Sequence, residues 1–390
     1  MTPPTEVVLV DAARTPHGSF LGGLADVPAP ELGATALAGL LDRTPVAGEA
    51  VEWVVLGNVI RAGVGQVPAR QVVLRAGLPE STPATTVDEA SGSGLRALTL
   101  AADRIDAGRA DVAVAGGTES MSNAPYLLSD HRRGHRLGDD RVVDALVYDA
   151  LWDAGEDAHM GTITDEFAAR FDIDRETQDE YARRSHERAS ETVETGAFDA
   201  EVVPVSVGEG VVADDEGPRP ETTLDRLAAL PPAFGDGGTV TAGNASDLAD
   251  GAGCVLVTSA AAAADAGVEA PVCVADYAVA YRDPTLFGMA VADAVQRLLR
   301  ANDLRVEDVG HFELNEAFAA QTCYVRDRLG IPDDRLNPRG GAVALGHPIG
   351  ASGGMLTATL LSAMREAGHR YGVVGMSVGG GGGIAVLLEA

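Results

Sequence analysis

The sequence predicts an α/β protein built from two similar halves. Short runs rich in β-branched residues alternate with longer stretches in which apolar residues recur every three or four positions. This alternation is typical of strands and helices packed in layers. Two strand-like segments that end in glycine, DVAVAGGTES and GVVGMSVGGG, occupy comparable late positions in the two halves. Their placement indicates an internal duplication.

The predicted elements follow one another along the chain. We predict strands at VEWVVLGNVI, ADVAVAGG, AGCVLVTSA, VCVADYAVAY, GHFELN and YGVVGMSVGG, several of them bounded by glycine. SGLRALTLAADRIDAG and MAVADAVQRLLRAND are predicted as helices, because each has a helical apolar repeat. The small-residue run SAAAAADAGVEAP is typical of a short helix or linker. We therefore predict a domain boundary near Ala260, with domains at 1–260 and 261–390.

The stretch from Met121 to Asn244 interrupts the alternation. It contains TDEFAARFDIDRETQDEYARRSHERASETVETG, which we predict as one long helical segment, and the proline-rich GPRPETTLDRLAALPPAF. An excursion of this length with its own helices is better described as an inserted subdomain than as a loop.

The charge balance excludes two classes of partner. Among 390 residues, 58 are acidic and 29 are basic, which gives a net charge of −29, and every one of the basic residues is arginine. Such a surface repels nucleic acid and anionic membranes. Carboxylates without lysine favour adaptation to high salt, where screening weakens self-repulsion. The alternative is an ordinary acidic enzyme from a GC-rich genome.

The remaining composition predicts a soluble cytoplasmic protein. No apolar run approaches the roughly eighteen residues that a membrane helix needs, and MTPPTEVVLVDAARTP does not resemble a secretory signal. The cysteines Cys254, Cys273 and Cys323 are too few and too scattered for a disulfide framework or a metal cluster. We interpret them as small core residues.

Ser91 lies on a predicted strand–turn–helix segment. The turn directs residue 91 toward a helix N-terminus, where free amides and partial positive charge favour a nucleophile and a developing oxyanion. The alternative is that Ser91 or Ser93 only caps the helix, since serine is a favoured cap.

Four segments together resemble the thiolase family. They are DEASGSGLRAL around Ser91, NPRGGAVALGHPIGASGG around His347, GMSVGGGGG around Ser377 and NEAFAAQ from Asn315. The resemblance spans nearly the whole chain. It implies a thiolase fold of two similar α/β halves in five layers, with the loop domain at about 121–244 covering a coenzyme A site.

The resemblance also implies catalytic roles. In the family, a cysteine that carries the acyl group occupies the position of Ser91, and a cysteine that moves protons occupies the position of Ser377. His347 would activate the nucleophile. Asn315 would hold a water that forms an oxyanion hole with the histidine. A serine depends on a positioned base, because it is essentially un-ionised at neutral pH.

Substrate recognition is implied at further positions. Arg219 matches an arginine beside the adenine end of coenzyme A, Ser246 matches a serine on the pantetheine arm, and His159 matches a substrate-pocket histidine. Backbone amides around Gly379 and Gly380 would form a second oxyanion pocket. Acyl-CoA and CoA are then substrates, and no tightly bound cofactor and no metal is expected.

Two departures from the family pattern and three functions remain open. Asp247 stands where the family usually has glycine, and DPTLFGMAVADA differs from the usual glycine- and proline-rich segment. The chain is a thiolase with a serine nucleophile, a non-catalytic acyl-CoA-binding subunit that works with a partner, or a serine-dependent acyl-CoA hydrolase. One or both serines could also have been introduced to trap a substrate complex. The family implies a homodimer or homotetramer.

Overall fold

The computed structural model describes residues 6–129 and 131–390. Its strands are β1 (Val7–Arg14), β2 (Gly18–Ser19), β3 (Trp53–Gly57), β4 (Ala84–Val87), β5 (Val112–Ser120), β6 (Tyr126–Leu127), β7 (Val143–Asp144), β8 (Trp152–Asp153), β9 (Ala158–His159), β10 (Val205–Val207), β11 (Gly210–Val212), β12 (Ala249–Ser259), β13 (Val272–Tyr281), β14 (His311–Leu314), β15 (Tyr371–Val378) and β16 (Gly382–Glu389). Its α-helices are α1 (Ala29–Asp42), α2 (Pro68–Arg75), α3 (Ser93–Asp106), α4 (Met160–Arg170), α5 (Arg175–Thr195), α6 (Leu224–Ala228), α7 (Ala260–Asp265), α8 (Phe287–Ala301), α9 (Ala319–Leu329), α10 (Ala342–Leu345) and α11 (Ser352–Ala367).

One ten-stranded mixed sheet runs through both halves. The N-terminal part has the order β4-β3-β5-β12-β1, and the C-terminal part continues as β13-β16-β15-β14. Counted outward from the centre of the sheet, β1, β12, β5 and β3 correspond to β13, β16, β15 and β14. An isolated parallel bridge of Phe312 with Leu336 lies beside β14 in the position that β4 has beside β3. The halves join through β1 and β13. The internal duplication that the glycine-ended strands indicated is therefore present as repeated topology.

The helices form three layers around this sheet. On the outside, α1 and α2 pack on the N-terminal strands, and α8, with α9 beside it, packs on the C-terminal strands. Between the two parts of the sheet, α3 and α11 contact each other and strands from both halves. The largest hydrophobic cluster is built around these two central helices. The result is the predicted five-layer α/β arrangement.

Glycines let the two central helices touch through their backbones. A Cβ at Gly94 of α3 would lie 2.9 Å from the amide nitrogen of Gly354, and a Cβ at Gly353 of α11 would lie 2.1 Å from the amide of Leu95. No side chain fits at such separations. The close approach brings together the segments that precede the two helices, which carry Ser91 and His347.

The segment between β5 and β12 forms the insertion, and it corrects one prediction. The long helical segment is two helices, α4 and α5, separated by a turn. Asp172 in this turn has a left-handed φ of 54°. Asp174 then starts α5 by accepting a hydrogen bond from the Thr177 amide at 2.8 Å. A carboxylate at an N-cap satisfies a free helix donor and favours a new start.

Two buried carboxylate clusters attach the insertion to the rest of the molecule. Arg14 of β1 donates to Glu201 at 2.6 Å and to both oxygens of Asp215, at 2.7 and 2.9 Å. Glu316, after β14, accepts from the hydroxyls of Tyr181 and Ser185 of α5, each at 2.7 Å. The second cluster places α5 beside the C-terminal end of β14, which the predicted site residue Asn315 follows.

None of the helices in the described ranges is both long and apolar enough to cross a bilayer. Within the same ranges, no group of three or more histidine, cysteine or acidic side chains is arranged to hold a metal ion.

Candidate active site

A cavity of about 350 Å³ lies between the insertion and the two halves. Ser91, His347 and Ser377 lie on its wall. Much of the remaining lining is apolar and includes Met121, Leu151, Met160, Phe234, Phe287 and Phe318. Enclosed, mostly apolar cavities with a few convergent polar groups are typical of substrate sites.

The turn before α3 gives Ser91 no capping role. Ala90 has a left-handed φ of 51°. Gly92 occupies the N-cap position of α3, and no side chain caps it. The Ser93 hydroxyl accepts from the amide of Glu89 at 2.8 Å and donates to the carbonyl of Ala90 at 2.6 Å, so it holds the turn. The alternative in which Ser91 or Ser93 caps the helix is therefore wrong.

Ser91 and His347, 256 positions apart, form a direct pair. The Ser91 Oγ lies 2.8 Å from His347 Nε2. On the other side of the ring, Nδ1 lies 2.6 Å from the Oγ of Ser352, and this hydroxyl donates to the carbonyl of Pro348 at 3.1 Å. A Ser352 hydroxyl that donates to Pro348 accepts from Nδ1–H with its oxygen, so the arrangement favours the tautomer with its proton on Nδ1. Nε2 then carries the lone pair that accepts the Ser91 proton.

Ser352 is the orienting group that sequence reasoning did not identify. In Ser-His-Asp enzymes a carboxylate holds the imidazole in the reactive tautomer and stabilises its cation. Ser352 supplies the first effect without the second, because its hydroxyl is neutral. Burial, together with the nearby His17, lowers the pKa of His347 to about 4. At neutral pH the ring is therefore an uncharged acceptor and a weak base.

Asn315 completes this cluster from the end of β14. Its Nδ2 lies 3.3 Å from His347 Nε2, and its backbone amide donates to the carbonyl of Gly375 at 2.9 Å. Its Oδ1 is buried without a hydrogen-bond partner among the described residues. Buried polar atoms are normally paired, so this oxygen is available to a donor that enters with substrate.

A buried carboxylate fixes the loop that carries His347. Glu119 of β5 accepts from the backbone amides of Gly350 at 3.0 Å, Val59 at 2.9 Å and Ile60 at 3.3 Å, and from the side-chain amide of Asn58 at 2.8 Å. Burial raises the pKa of Glu119 to about 7, although these donors oppose the rise. Sequence reasoning missed this residue, which looks like an ordinary strand end.

Ser377, the penultimate residue of β15, lies on the cavity wall. Its hydroxyl has no hydrogen-bond partner in the described part of the chain. Gly379 and Gly380 lie beside it on a second cavity of about 420 Å³, which Ser91 and Ser377 also line. The amide of Gly379 faces the carbonyl of Glu89 at 3.3 Å, so it is partly engaged within the protein. The second oxyanion pocket thus stays a prediction.

Two predicted pocket positions, His159 and Ser246, line the first cavity. His159 precedes α4, and its Nδ1 accepts from the amide of Gly161 at 3.0 Å. Its ring stacks on Phe234 with centroids 4.6 Å apart. The neutral ring therefore presents Nε2–H as a donor, and burial lowers its pKa. Ser246 also lines the cavity, and its backbone amide donates a hydrogen bond to the Ala317 carbonyl at 3.1 Å.

Arg219 does not line the cavity itself. Its guanidinium donates to the Oδ2 of Asp247, which does line it. The Asp247 carbonyl in turn accepts from the amide of His347 at 2.9 Å. The departure from the family pattern at residue 247 therefore lies next to His347.

The three cysteines are all free thiols and lie away from the cavity lining. Burial raises the pKa of Cys254 and Cys323 to about 12 and that of Cys273 to about 11. A thiol acts as a nucleophile through its thiolate. None of the three replaces the thiols that the resemblance implies at positions 91 and 377.

Similarity to known proteins extends over nearly the whole chain. The family model for the thiolase N-terminal domain matches residues 7–261, and that for the thiolase C-terminal domain matches residues 269–390. An acetyl-CoA acetyltransferase of Cupriavidus necator is 44% identical over 390 residues and covers 99% of each chain. One of Chromobacterium violaceum is 46% identical over 389 residues, covering 98% of this chain and 99% of its own. The crystal structure of the Bacillus anthracis acetyl-CoA acetyltransferase superposes with a TM-score of 0.96 at 36% identity, covering 99% of both chains.

Proposed function

Because this chain belongs to the thiolase family and is an acyltransferase, we propose that it exchanges acyl groups between coenzyme A thioesters through an acyl-enzyme at Ser91. The reaction is the condensation of two acyl-CoA molecules or the thiolysis of 3-oxoacyl-CoA. The observation that carries the proposal is the 2.8 Å contact of Ser91 with His347, whose ring is held by Ser352.

In thiolysis, the first step forms an ester. Ser91 Oγ attacks the C3 carbonyl of 3-oxoacyl-CoA as its proton passes to His347 Nε2. The C2–C3 bond breaks, and acetyl-CoA leaves as an enolate that takes up a proton from water. In the second step free CoA passes its thiol proton to water and its sulfur attacks the acyl-serine, and Ser91 leaves with the proton held by His347. Asn315 and backbone amides would stabilise the oxyanions.

A second candidate is a serine-dependent acyl-CoA hydrolase. The observation that favours it is the unpartnered hydroxyl of Ser377, which is a poor acid or base near neutral pH. Without an efficient proton donor and acceptor for the enolate, carbon–carbon chemistry slows. An acyl-serine beside a neutral His347 can instead be attacked by water, which passes a proton to Nε2 and releases a free acid.

Thiolysis of acetoacetyl-CoA in molar potassium chloride tests these functions. Acetyl-CoA and free acids are quantified for the native chain, Ser91→Ala and the double variant Ser91→Cys, Ser377→Cys. Acetyl-CoA formation that Ser91→Ala abolishes supports the thiolase, whereas free acid without acetyl-CoA supports the hydrolase. Turnover by the double-cysteine variant alone would make the native chain a binding subunit or a trapped form.

The cellular and assembly predictions belong to the same proposal. Adaptation to salt is supported by 58 acidic residues against 29 arginines without lysine. A homodimer or homotetramer is supported by exposed apolar side chains, which include Tyr126, Leu128, Leu137, Val142 and Tyr148 of the insertion. A cytoplasmic location, a partner subunit and the division of the chain near residue 260 stay predictions.

A further inference from the structure

We propose that Asp247 is a specificity-determining residue that competes with the phosphate groups of coenzyme A for Arg219. The inference rests on the proposed use of coenzyme A thioesters. The guanidinium of Arg219 is therefore already paired with Asp247 when the substrate arrives. The phosphate groups displace the carboxylate of Asp247 from Arg219, so the affinity for coenzyme A is lower than it would be without this carboxylate. The affinity for the acyl-pantetheine part, which carries no phosphate, is not lowered.

The first observation is the charge of the cavity wall. Among the described residues, Asp247 is the one aspartate, glutamate or arginine that lines the main cavity. A carboxylate on the path of a ligand with several phosphate charges repels it. Next to it in the sequence, Ser246 and Leu248 contribute only a hydroxyl and an apolar side chain to the same wall. The unfavourable charge is thus a single, removable feature.

The second observation is how this charge is balanced. The guanidinium of Arg219 donates to Asp247 Oδ2, and the side chains are 48% and 34% exposed. Burial raises the pKa of Asp247, and Arg219 opposes the rise. An ion pair this exposed is weak, and its guanidinium can turn to a better anion. Phosphate is such a partner, since arginine binds it with two parallel hydrogen bonds.

The third observation is that hydrogen bonds hold the backbone of Arg219, whereas its side chain is half exposed. The amide of Arg219 donates to His186 Nδ1 at 3.3 Å, and its carbonyl accepts from the Thr222 amide at 3.1 Å. The backbone is therefore held while the half-exposed side chain is free to exchange partners. The backbone of Asp247 is also held, because its carbonyl accepts from the His347 amide at 2.9 Å. When Arg219 turns away, Asp247 stays on the cavity wall without its partner.

The test compares the binding of coenzyme A and of pantetheine, which lacks all phosphates, by calorimetry on the full chain. Asp247→Asn keeps the shape of the side chain and removes its charge. We expect it to tighten coenzyme A binding by about fivefold, equivalent to ~1 kcal/mol for one partly exposed ion pair, and to leave pantetheine binding unchanged. Arg219→Gln is expected to weaken coenzyme A binding, because it leaves the carboxylate of Asp247 unbalanced.

Asp225→Asn is the matched control, because Asp225 is an exposed carboxylate of α6 outside the cavity lining. It reports the effect of one less negative charge on this acidic protein. In molar potassium chloride the screening length falls to about 3 Å, so the effect of the control vanishes while contact competition at Asp247 persists.

The outcomes are distinct for the inference and for the proposed function. Coenzyme A affinity unchanged or weakened by Asp247→Asn overturns the inference, as does an equal gain for pantetheine or an equal gain in the Asp225 control at high salt. Failure of the native chain and of every variant to bind coenzyme A overturns the proposed function itself.

Discussion

Removing the Ser352 hydroxyl isolates the group that orients His347. In Ser352→Ala, the Nδ1–H of the buried ring loses its acceptor at 2.6 Å. Leaving a buried donor unpaired costs about 1–3 kcal/mol. This cost falls on the reactive tautomer, since the other tautomer places its proton on Nε2 and cannot accept from Ser91. We therefore expect the reactive tautomer, and with it the acylation rate, to fall by about 5- to 150-fold.

The assay measures acylation at Ser91 in two ways. One is kcat/KM for thiolysis of acetoacetyl-CoA, and the other is the rate at which a fluorophosphonate labels Ser91, followed by mass spectrometry. Thr357→Val is the matched control, because Thr357 of α11 is buried and makes the same bond to the carbonyl four residues earlier, at 2.7 Å to Gly353. Full reactivity of Ser352→Ala, or an equal loss in Thr357→Val, would refute the reasoning.

Two further predictions concern Glu119 and His159. Burial raises the pKa of Glu119 from 4.5 to about 7, so its stability contribution is complete below about pH 4.5 and is lost as pH rises to 7, by about 3 kcal/mol. Denaturant titrations should show that the free energy of unfolding of the native chain falls by this amount relative to that of Glu119→Gln between about pH 4 and pH 8. A native chain that instead gains stability relative to the variant as pH rises would mean that the hydrogen bonds to the carboxylate outweigh its burial. His159→Ala removes an Nε2–H donor and should raise KM for acetoacetyl-CoA by about fivefold with kcat preserved, whereas steady-state kinetics with a collapsed kcat would assign proton transfer to His159.

The fold was predictable where local patterns carry the information. Apolar strands such as β5 and β12 stand out from their neighbours, and the thiolase fold is confirmed by the superposition with a TM-score of 0.96. The strand β16 was missed because the glycine run before it is typical of a loop. The break between α4 and α5 was missed because the helical period continues through Asp172, and tertiary contacts decide where it stops.

The site was only partly predictable, because its contacts join distant parts of the chain. Ser91 and His347 were found through motifs. Their partners were not, since Ser352 looks like an ordinary helix residue and Glu119 lies 231 positions from the amide of Gly350 that it binds. Such contacts depend on the close crossing of α3 and α11, which a residue pattern does not reveal.

The electrostatics of His347 determine which nucleophile the site favours. A histidine with a pKa of about 4 and a neutral hydroxyl behind it gives little stabilisation to an imidazolium. A cysteine, with a reference pKa near 8.5, needs little help to ionise, whereas a serine must lose its proton as it attacks. The oxygen ester that forms is then a poorer acyl donor than a thioester. In the proposed mechanism, the same architecture would make Ser91 slow both to acquire an acyl group and to pass it to carbon. Release of the acyl group would then be the step at which the proposed thiolase and hydrolase diverge.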